Sequence, residues 1–147
     1  MRSLSRLLSP ERIVWLSSCD RGEVLSELAR LHTSFDTTIA LEEVRRALVE
    51  REQLNSTGIG QGLALPHARI PKVQDFSVIL GLHKGGIDFN SFDGEPVHLF
   101  LLIIGPTTAN DRYIQILARA SRFLRAKAAD ILAAATADEI YAMTLDF

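Results

Sequence analysis

The chain has 147 residues, 47% of them hydrophobic and 23% charged, the balance of a soluble globular domain large enough to bury a real core. A net charge of −2 gives no long-range pull toward nucleic acid or an anionic membrane, and the longest apolar run, Val97 to Ile104, falls far short of the roughly 20 residues that span a bilayer. With one cysteine, Cys19, no intramolecular disulfide forms, and the polar opening MRSLSRLLSPER is no secretion signal, so a cytoplasmic protein is expected.

Helical patterns come first. From Asp20 to His32 the apolar residues Val24, Leu25, Leu28 and Leu31 recur at helical spacing, and Asp20 and Glu23 are spaced as a capping box. Between Thr38 and Gln53, Leu41, Val44 and Leu48 form one stripe, while Glu42, Glu43, Arg45 and Arg46 face water. After a glycine-rich loop the period changes. Phe76 to Leu82 is short and rich in β-formers, and Val97 to Ile104 is continuously apolar, as a central strand buried on both faces should be. Gly85-Gly86 and the stretch from Asn90 to Pro96 are turn signals. The helical period returns from Asn110 to Arg125, with Ile114, Leu117 and Leu124 on one side and Ile116, Ala120 and Phe123 close by. Thr136 to Glu139 is a second capping box, opening a last helix that carries Ile140 and Leu145. This order predicts an α/β fold, a small mixed β-sheet flanked by helices on both faces, in one domain over residues 1–147.

The loop itself asks a chemical question. In TGIGQGLALPH, residues 57–67, glycines stand at 58, 60 and 62 and a histidine follows a proline. A P-loop needs Gly-Lys-Ser/Thr at its end, and a dinucleotide fingerprint needs GxGxxG between a strand and a helix; neither is present. The missing lysine and acidic groups also argue against a nucleotide-binding enzyme. The glycines offer close backbone approach and free N–H donors. Pro66 fixes φ and stiffens the backbone that presents His67, a candidate nucleophile toward phosphorus. On spacing alone, the same residues also suit a plain turn.

The segment EREQLNSTGIGQGLALPH, residues 50–67, resembles the active-site signature of the enzyme IIA components of the bacterial phosphoenolpyruvate-dependent phosphotransferase system. The resemblance is closest to the fructose/mannitol and nitrogen-regulatory branch. LLSPERIV near the start, FDGEPVHLFLLIIGP in the middle and TADEIY near the end extend it through most of the chain. It implies that His67 accepts a phosphoryl group from a small histidine phosphocarrier protein and hands it to an enzyme IIB or a regulatory target. A backbone carbonyl is expected to fix the histidine tautomer at its other ring nitrogen.

Supporting roles follow by position. Arg51, sixteen residues before His67, matches an arginine near the active histidine of mannitol-type members; the alternative is a solvated helix-end arginine. Ser56 and Thr57 either donate to phosphoryl oxygens or stabilise the turn. Gly58, Gly60 and Gly62 would bring backbone amides to the phosphate. Gln61 holds a position that is acidic in mannitol-type sequences and an amide in the nitrogen type. In NDRYIQIL, residues 110–117, Tyr113 stands where members of the family carry a second active-site histidine. A phenol keeps one O–H donor but never becomes cationic at neutral pH. Arg112 beside it would restore charge, although neighbours on a helix point apart.

Two readings result: a phosphoryl carrier, regulatory rather than sugar-transporting because no enzyme IIB or membrane segment accompanies it, or a regulatory binding module that uses the same face without carrying phosphate. Neither a metal nor a cofactor is expected, since no His/Cys/Asp/Glu cluster has ligand spacing. His98 reads as a core or sheet-face residue, His32 and His83 as surface, and Cys19 as inert.

Overall fold

The structure is a computed structural model that describes residues 3–147; Met1 and Arg2 of the polar opening lie outside it. The main elements are α1 (Leu4–Leu7), β1 (Ile13–Trp15), α2 (Arg21–Phe35), α3 (Leu41–Leu54), β2 (Gly58–Gly60), β3 (Leu63–Ala64), β4 (His67–Arg69), β5 (Ser77–Ile87), β6 (Val97–Gly105), α4 (Asn110–Ala133) and α5 (Ala137–Met143). Six strands make one mixed sheet in the order β1-β5-β6-β3-β2, with β4 also paired to β6. β5 and β6 are antiparallel; β1 runs parallel to β5, and β3 and β4 both run parallel to β6.

β6 is the centre, and its alternation explains its unbroken apolar sequence. Leu99, Leu101 and Ile103 face one core with α1, α4 and α5, while Phe100, Leu102 and Ile104 face the other with α2 and α3. The two helical layers are those expected from the sequence. Asp20 caps α2 by accepting from the Glu23 N–H at 2.9 Å, and Glu23 reaches back to the Cys19 N–H. Thr136 caps α5 by accepting from the Glu139 N–H at 3.2 Å.

β3 and β4 line the same side of β6 end to end. Leu63 and Ala64 pair with Leu99 and Phe100; His67 and Ala68 pair with Ile103 and Ile104. Between them the Pro66 carbonyl accepts from the Ile103 N–H at 3.0 Å. They behave as one strand broken at Leu65-Pro66, and the break places His67 near the carboxyl end of the central strand.

Several boundaries differ from the sequence reading. α4 runs on to Ala133, because Lys127 to Leu132 continue to suit a helix and Ile131 is buried. Ile114 faces solvent instead of the core, and Leu145 lies exposed in a terminal 3₁₀ turn after α5. The Gly85-Gly86 signal falls within β5, where the pairing with β6 shifts register between Leu82 and Ile87. The short strand β1 has too few residues to show a period. Cys19 is exposed.

The histidines needed correction too. His98 is a sheet-face residue as expected, its Nδ1 3.0 Å from the His83 carbonyl. His83 is half-buried, not free on the surface: its Nε2 donates to the Ser18 carbonyl at 2.7 Å and its Nδ1 accepts from the Gly86 N–H. His32 is fully buried, because it lies one turn beyond Leu28 on the inner stripe of α2. Its Nδ1 is 3.2 Å from the Ser77 hydroxyl, which also receives Arg12 at 2.9 Å.

Burial holds the His32 pKa below its ordinary 6.5, with Asp36 opposing and Arg12 reinforcing the shift. The unfolded chain therefore binds more protons than the folded one near and below pH 6.5, so His32 costs stability as the pH falls through that value. The urea midpoint is expected to drop between pH 7 and pH 5, and His32→Gln to flatten that drop. Parallel pH curves for the two proteins would show that His32 is not the group responsible.

Candidate functional site

A concavity of about 510 Å³ opens where the last turn of α3, strand β4 and the first turn of α4 converge; Arg51, Leu54, His67, Arg69 and Tyr113 line it. Its geometry begins with a backbone carbonyl. The Leu65 N–H is used in the loop hairpin, donating to the Thr57 carbonyl at 3.0 Å, while the Leu65 carbonyl faces the His67 ring with Nδ1 at 2.6 Å. A carbonyl only accepts, so Nδ1 carries the proton and Nε2 carries the lone pair.

Arg51 meets that lone pair. Its Nε donates to His67 Nε2 at 3.2 Å, and its Nη1 holds the Asn55 carbonyl at 3.0 Å, which ties the guanidinium to the end of α3. The half-buried imidazole has its pKa pushed below the ordinary 6.5, chiefly by burial; the Leu65 carbonyl opposes, Arg51 reinforces and Glu52 opposes. His67 is therefore neutral at pH 7, the state a nucleophile requires.

Tyr113 forms the opposite wall. Its ring lies edge-on to His67, centroids 5.9 Å apart, and stacks on Phe76 at 6.1 Å. The phenol is 6% exposed, and its hydroxyl is buried with no hydrogen-bond partner. Burial drives its pKa far above that of a free tyrosine, although Arg69 and Arg51 both act against this, so it stays a neutral donor. Arg112 turns away, its guanidinium 5.0 Å from the Phe76 ring centre and 3.9 Å from Asp75.

Of the residues singled out in the sequence, the structure brings Arg51, His67 and Tyr113 together. It does not bring the glycine loop with them. The Thr57 hydroxyl and N–H both donate to the buried carboxylate of Glu52, at 2.6 and 2.8 Å. Ser56 donates to the Phe89 carbonyl at 2.8 Å and accepts from the Gly58 N–H. In this structure both hydroxyls are bonded within the turn and its neighbours. Gly58 packs on Ser91, Gly60 on Phe92 and Asp93, and Gly62 beside His98. The Gln61 N–H donates to Asp93 and its side-chain oxygen accepts from Arg125. The loop is a tight hairpin between β2 and β3, packed against residues 89–96 and α4, and the lining of the concavity comes from α3, β4 and α4.

The sequence reading missed Arg69. Residues 67 and 69 share a face of β4, but three residues are too few to show that alternation in the sequence. Its Nε donates to the Pro106 carbonyl at 3.3 Å, its Nη2 to the Thr107 carbonyl, and its guanidinium lies 5.4 Å from the Tyr113 ring centre.

A family model described as the EIIA 2 component of the phosphoenolpyruvate-dependent sugar phosphotransferase system matches residues 6–146. The chain belongs to this EIIA 2 family. The nitrogen regulatory protein of Pseudomonas aeruginosa is 32% identical over 150 residues, covering 99% of this chain and 97% of that one. The nitrogen regulatory protein of Bradyrhizobium diazoefficiens is 33% identical over 123 residues, 83% of this chain and 80% of that one. The fructose-specific EIIABC component of Bacillus subtilis is 31% identical over 109 residues, which is 74% of this chain but only 17% of that longer protein. Among solved structures, the nitrogen regulatory protein IIA-Ntr of Neisseria meningitidis superposes with a TM-score of 0.88 at 23% identity, covering 96% of this chain and 98% of that one. Mannitol IIA of Escherichia coli, solved in complex with phosphorylated enzyme IIB, gives a TM-score of 0.80 at 18% identity, with 95% and 98% covered. These likenesses place the EIIA 2 fold under the site, including the mixed sheet and its two helical layers. Among the described residues no helix is long and apolar enough to cross a membrane.

The hairpin geometry makes a prediction about the EIIA 2 loop. Gly60 has φ +84°, and a Cβ there would come within 3.0 Å of the Phe92 ring. Gly60→Val should cost roughly 1–2 kcal/mol of stability, seen as a lower urea midpoint, because an L-residue is strained in the left-handed region. The ring-nitrogen shifts of His67 should not move. A midpoint equal to that of the unsubstituted chain would overturn this account of the loop.

Proposed function

We propose that the chain is a cytoplasmic phosphoryl carrier in which Nε2 of His67 takes a phosphoryl group from the phosphohistidine of a small histidine phosphocarrier protein. The observation that carries this reading is the 2.6 Å contact between His67 Nδ1 and the Leu65 carbonyl, which leaves Nε2 unprotonated toward an open concavity. In the transfer, the Nε2 lone pair forms the new N–P bond as the donor's N–P bond breaks, and that electron pair returns to the donor's ring. The proton stays on Nδ1, donated to the Leu65 carbonyl, so no proton has to move.

Arg51 changes partner during the reaction. Its N–H now points at the atom that attacks, so it must give up Nε2 and then bond the phosphoryl oxygens that arrive there. Tyr113 adds the buried donor. A phosphoryl oxygen would satisfy a hydroxyl that has no partner in the resting site.

We assign the carrier to regulation of the nitrogen type rather than to sugar uptake. Support comes from the two nitrogen regulatory relatives, each matched over most of its own length, whereas the fructose-specific relative is matched over a small part. The acceptor is then an enzyme IIB or a regulated protein; the mannitol IIA neighbour was solved with an enzyme IIB. A second reading, a binding module that carries no phosphate, draws on Tyr113, which cannot supply the positive charge of a histidine.

The test is phosphorylation of the purified chain by enzyme I, a phosphocarrier protein and phosphoenolpyruvate, with the label mapped by mass spectrometry. We expect label on His67, lost in His67→Ala, and slower labelling of Arg51→Ala by roughly 10- to 100-fold. No label, from carriers that phosphorylate another EIIA, would leave the binding-module reading in its place. Tyr113→His should speed labelling or prolong the phosphorylated state, and unchanged rates for both would exclude residue 113 from the chemistry.

A further inference from the structure

Building on that carrier reading, we propose that Arg69 is a second phosphoryl-binding cation, which works with Arg51 to neutralise the phosphorylated state of His67 where Tyr113 supplies no charge. Strand geometry comes first. Arg69 lies two residues beyond His67 in β4, so the pleat sends both side chains to the face that lines the concavity. Arg51 approaches the same ring from α3. The two arginines thus reach the site from separate elements, and Tyr113 stands beside the imidazole with Arg69 over its ring.

Charge gives the reason for two. The oxygens of a phosphoryl group on Nε2 carry close to two negative charges at neutral pH, by analogy with other phosphorylated side chains. The ring's own N–H is directed away from them to the Leu65 carbonyl. Arg51 balances one of those charges. The wall opposite offers a neutral phenol, and Glu50, also lining the concavity, adds negative charge when ionised. Arg69 is the remaining cation among the lining residues.

Its side chain is also held in place. The Pro106 and Thr107 carbonyls take N–H donors from Nε and Nη2, and the Tyr113 ring packs against the guanidinium. A guanidinium has five N–H donors in a rigid fork, so two bonds to carbonyls leave others for phosphoryl oxygens at no further ordering cost. The arrangement resembles a preset clamp more than a free surface arginine.

A purely structural role is the competing account: Arg69 would only fasten the loop at Pro106-Thr107 to β4. The experiment compares Arg69→Gln and Arg69→Lys with the unsubstituted chain in the phosphorylation assay. It reads the initial rate of labelling, the half-life of phosphorylated His67 after the donor is removed, and the urea midpoint. We expect Arg69→Gln to slow labelling about tenfold or more and to shorten the half-life, while Arg69→Lys, which keeps the charge but loses the fork, recovers much of both. Equal labelling and half-life in Arg69→Gln overturn the inference and leave the carrier reading intact. Equal losses in Gln and Lys variants, in step with a lowered midpoint, also overturn it in favour of the loop fastener. An unsubstituted chain that takes no label overturns the carrier reading and this inference together.

Discussion

Everything at the site depends on where the Leu65 carbonyl points. Beside β6 the Gly62 and Pro66 carbonyls turn toward that strand, and Leu65, whose N–H meets Thr57, turns its carbonyl the other way. Here the strand is split into β3 and β4, and the ladder resumes through the Pro66 carbonyl and the Ile103 N–H. The Leu65 oxygen, facing away from β6, receives His67 Nδ1. Proline suits the position for two reasons: its fixed φ stiffens the break, and its missing N–H leaves no donor to satisfy there. That one carbonyl therefore sets the tautomer and leaves Nε2 toward the concavity.

A second buried contact holds the approach to that break. Glu52 is 3% exposed, and Thr57 satisfies its side-chain oxygens by donating through both backbone and side chain. This pair pins the end of α3 to the start of the glycine hairpin. Arg51, one residue before Glu52, is thereby fixed over His67. The glycines serve the same end from further away: by letting the hairpin lie flat on Phe92 and Ser91, they set the course of the chain that leads into Leu65.

These contacts explain what the sequence made legible. The central strand and the long helices carried their own period, and a cap box marks the start of α2 and of α5. His67 was legible through the motif, and its carbonyl partner followed from the need to fix a tautomer. Arg51 could not be told from Arg45 and Arg46 by charge alone. Its phase could have separated it, because it lies one turn from Leu48 and adjoins the buried Glu52, whereas Arg46 points to water. The hairpin's true partners were out of reach, since residues 89–96 contact the loop only through the fold. Arg69 was overlooked because a three-residue strand is too short to display its alternation.

The site also sets a demand on the end of β6. Gly105 pairs with Arg69 in the ladder, and a Cβ on it would lie 2.6 Å from the Phe76 ring and 3.2 Å from Tyr113. The absence of a side chain lets the two rings stack over the backbone and brings Tyr113 to the wall of the concavity. That placement has a cost, for a buried hydroxyl without a partner gives up about 1–3 kcal/mol. A phenylalanine would fill the same space and avoid it. The core gains nothing from the hydroxyl, whereas in the proposed transfer a phosphoryl group on Nε2 would bring it an oxygen acceptor. On the proposed carrier reading, one phosphoryl group would both satisfy the Tyr113 hydroxyl and draw Arg51 from Nε2 to its oxygens.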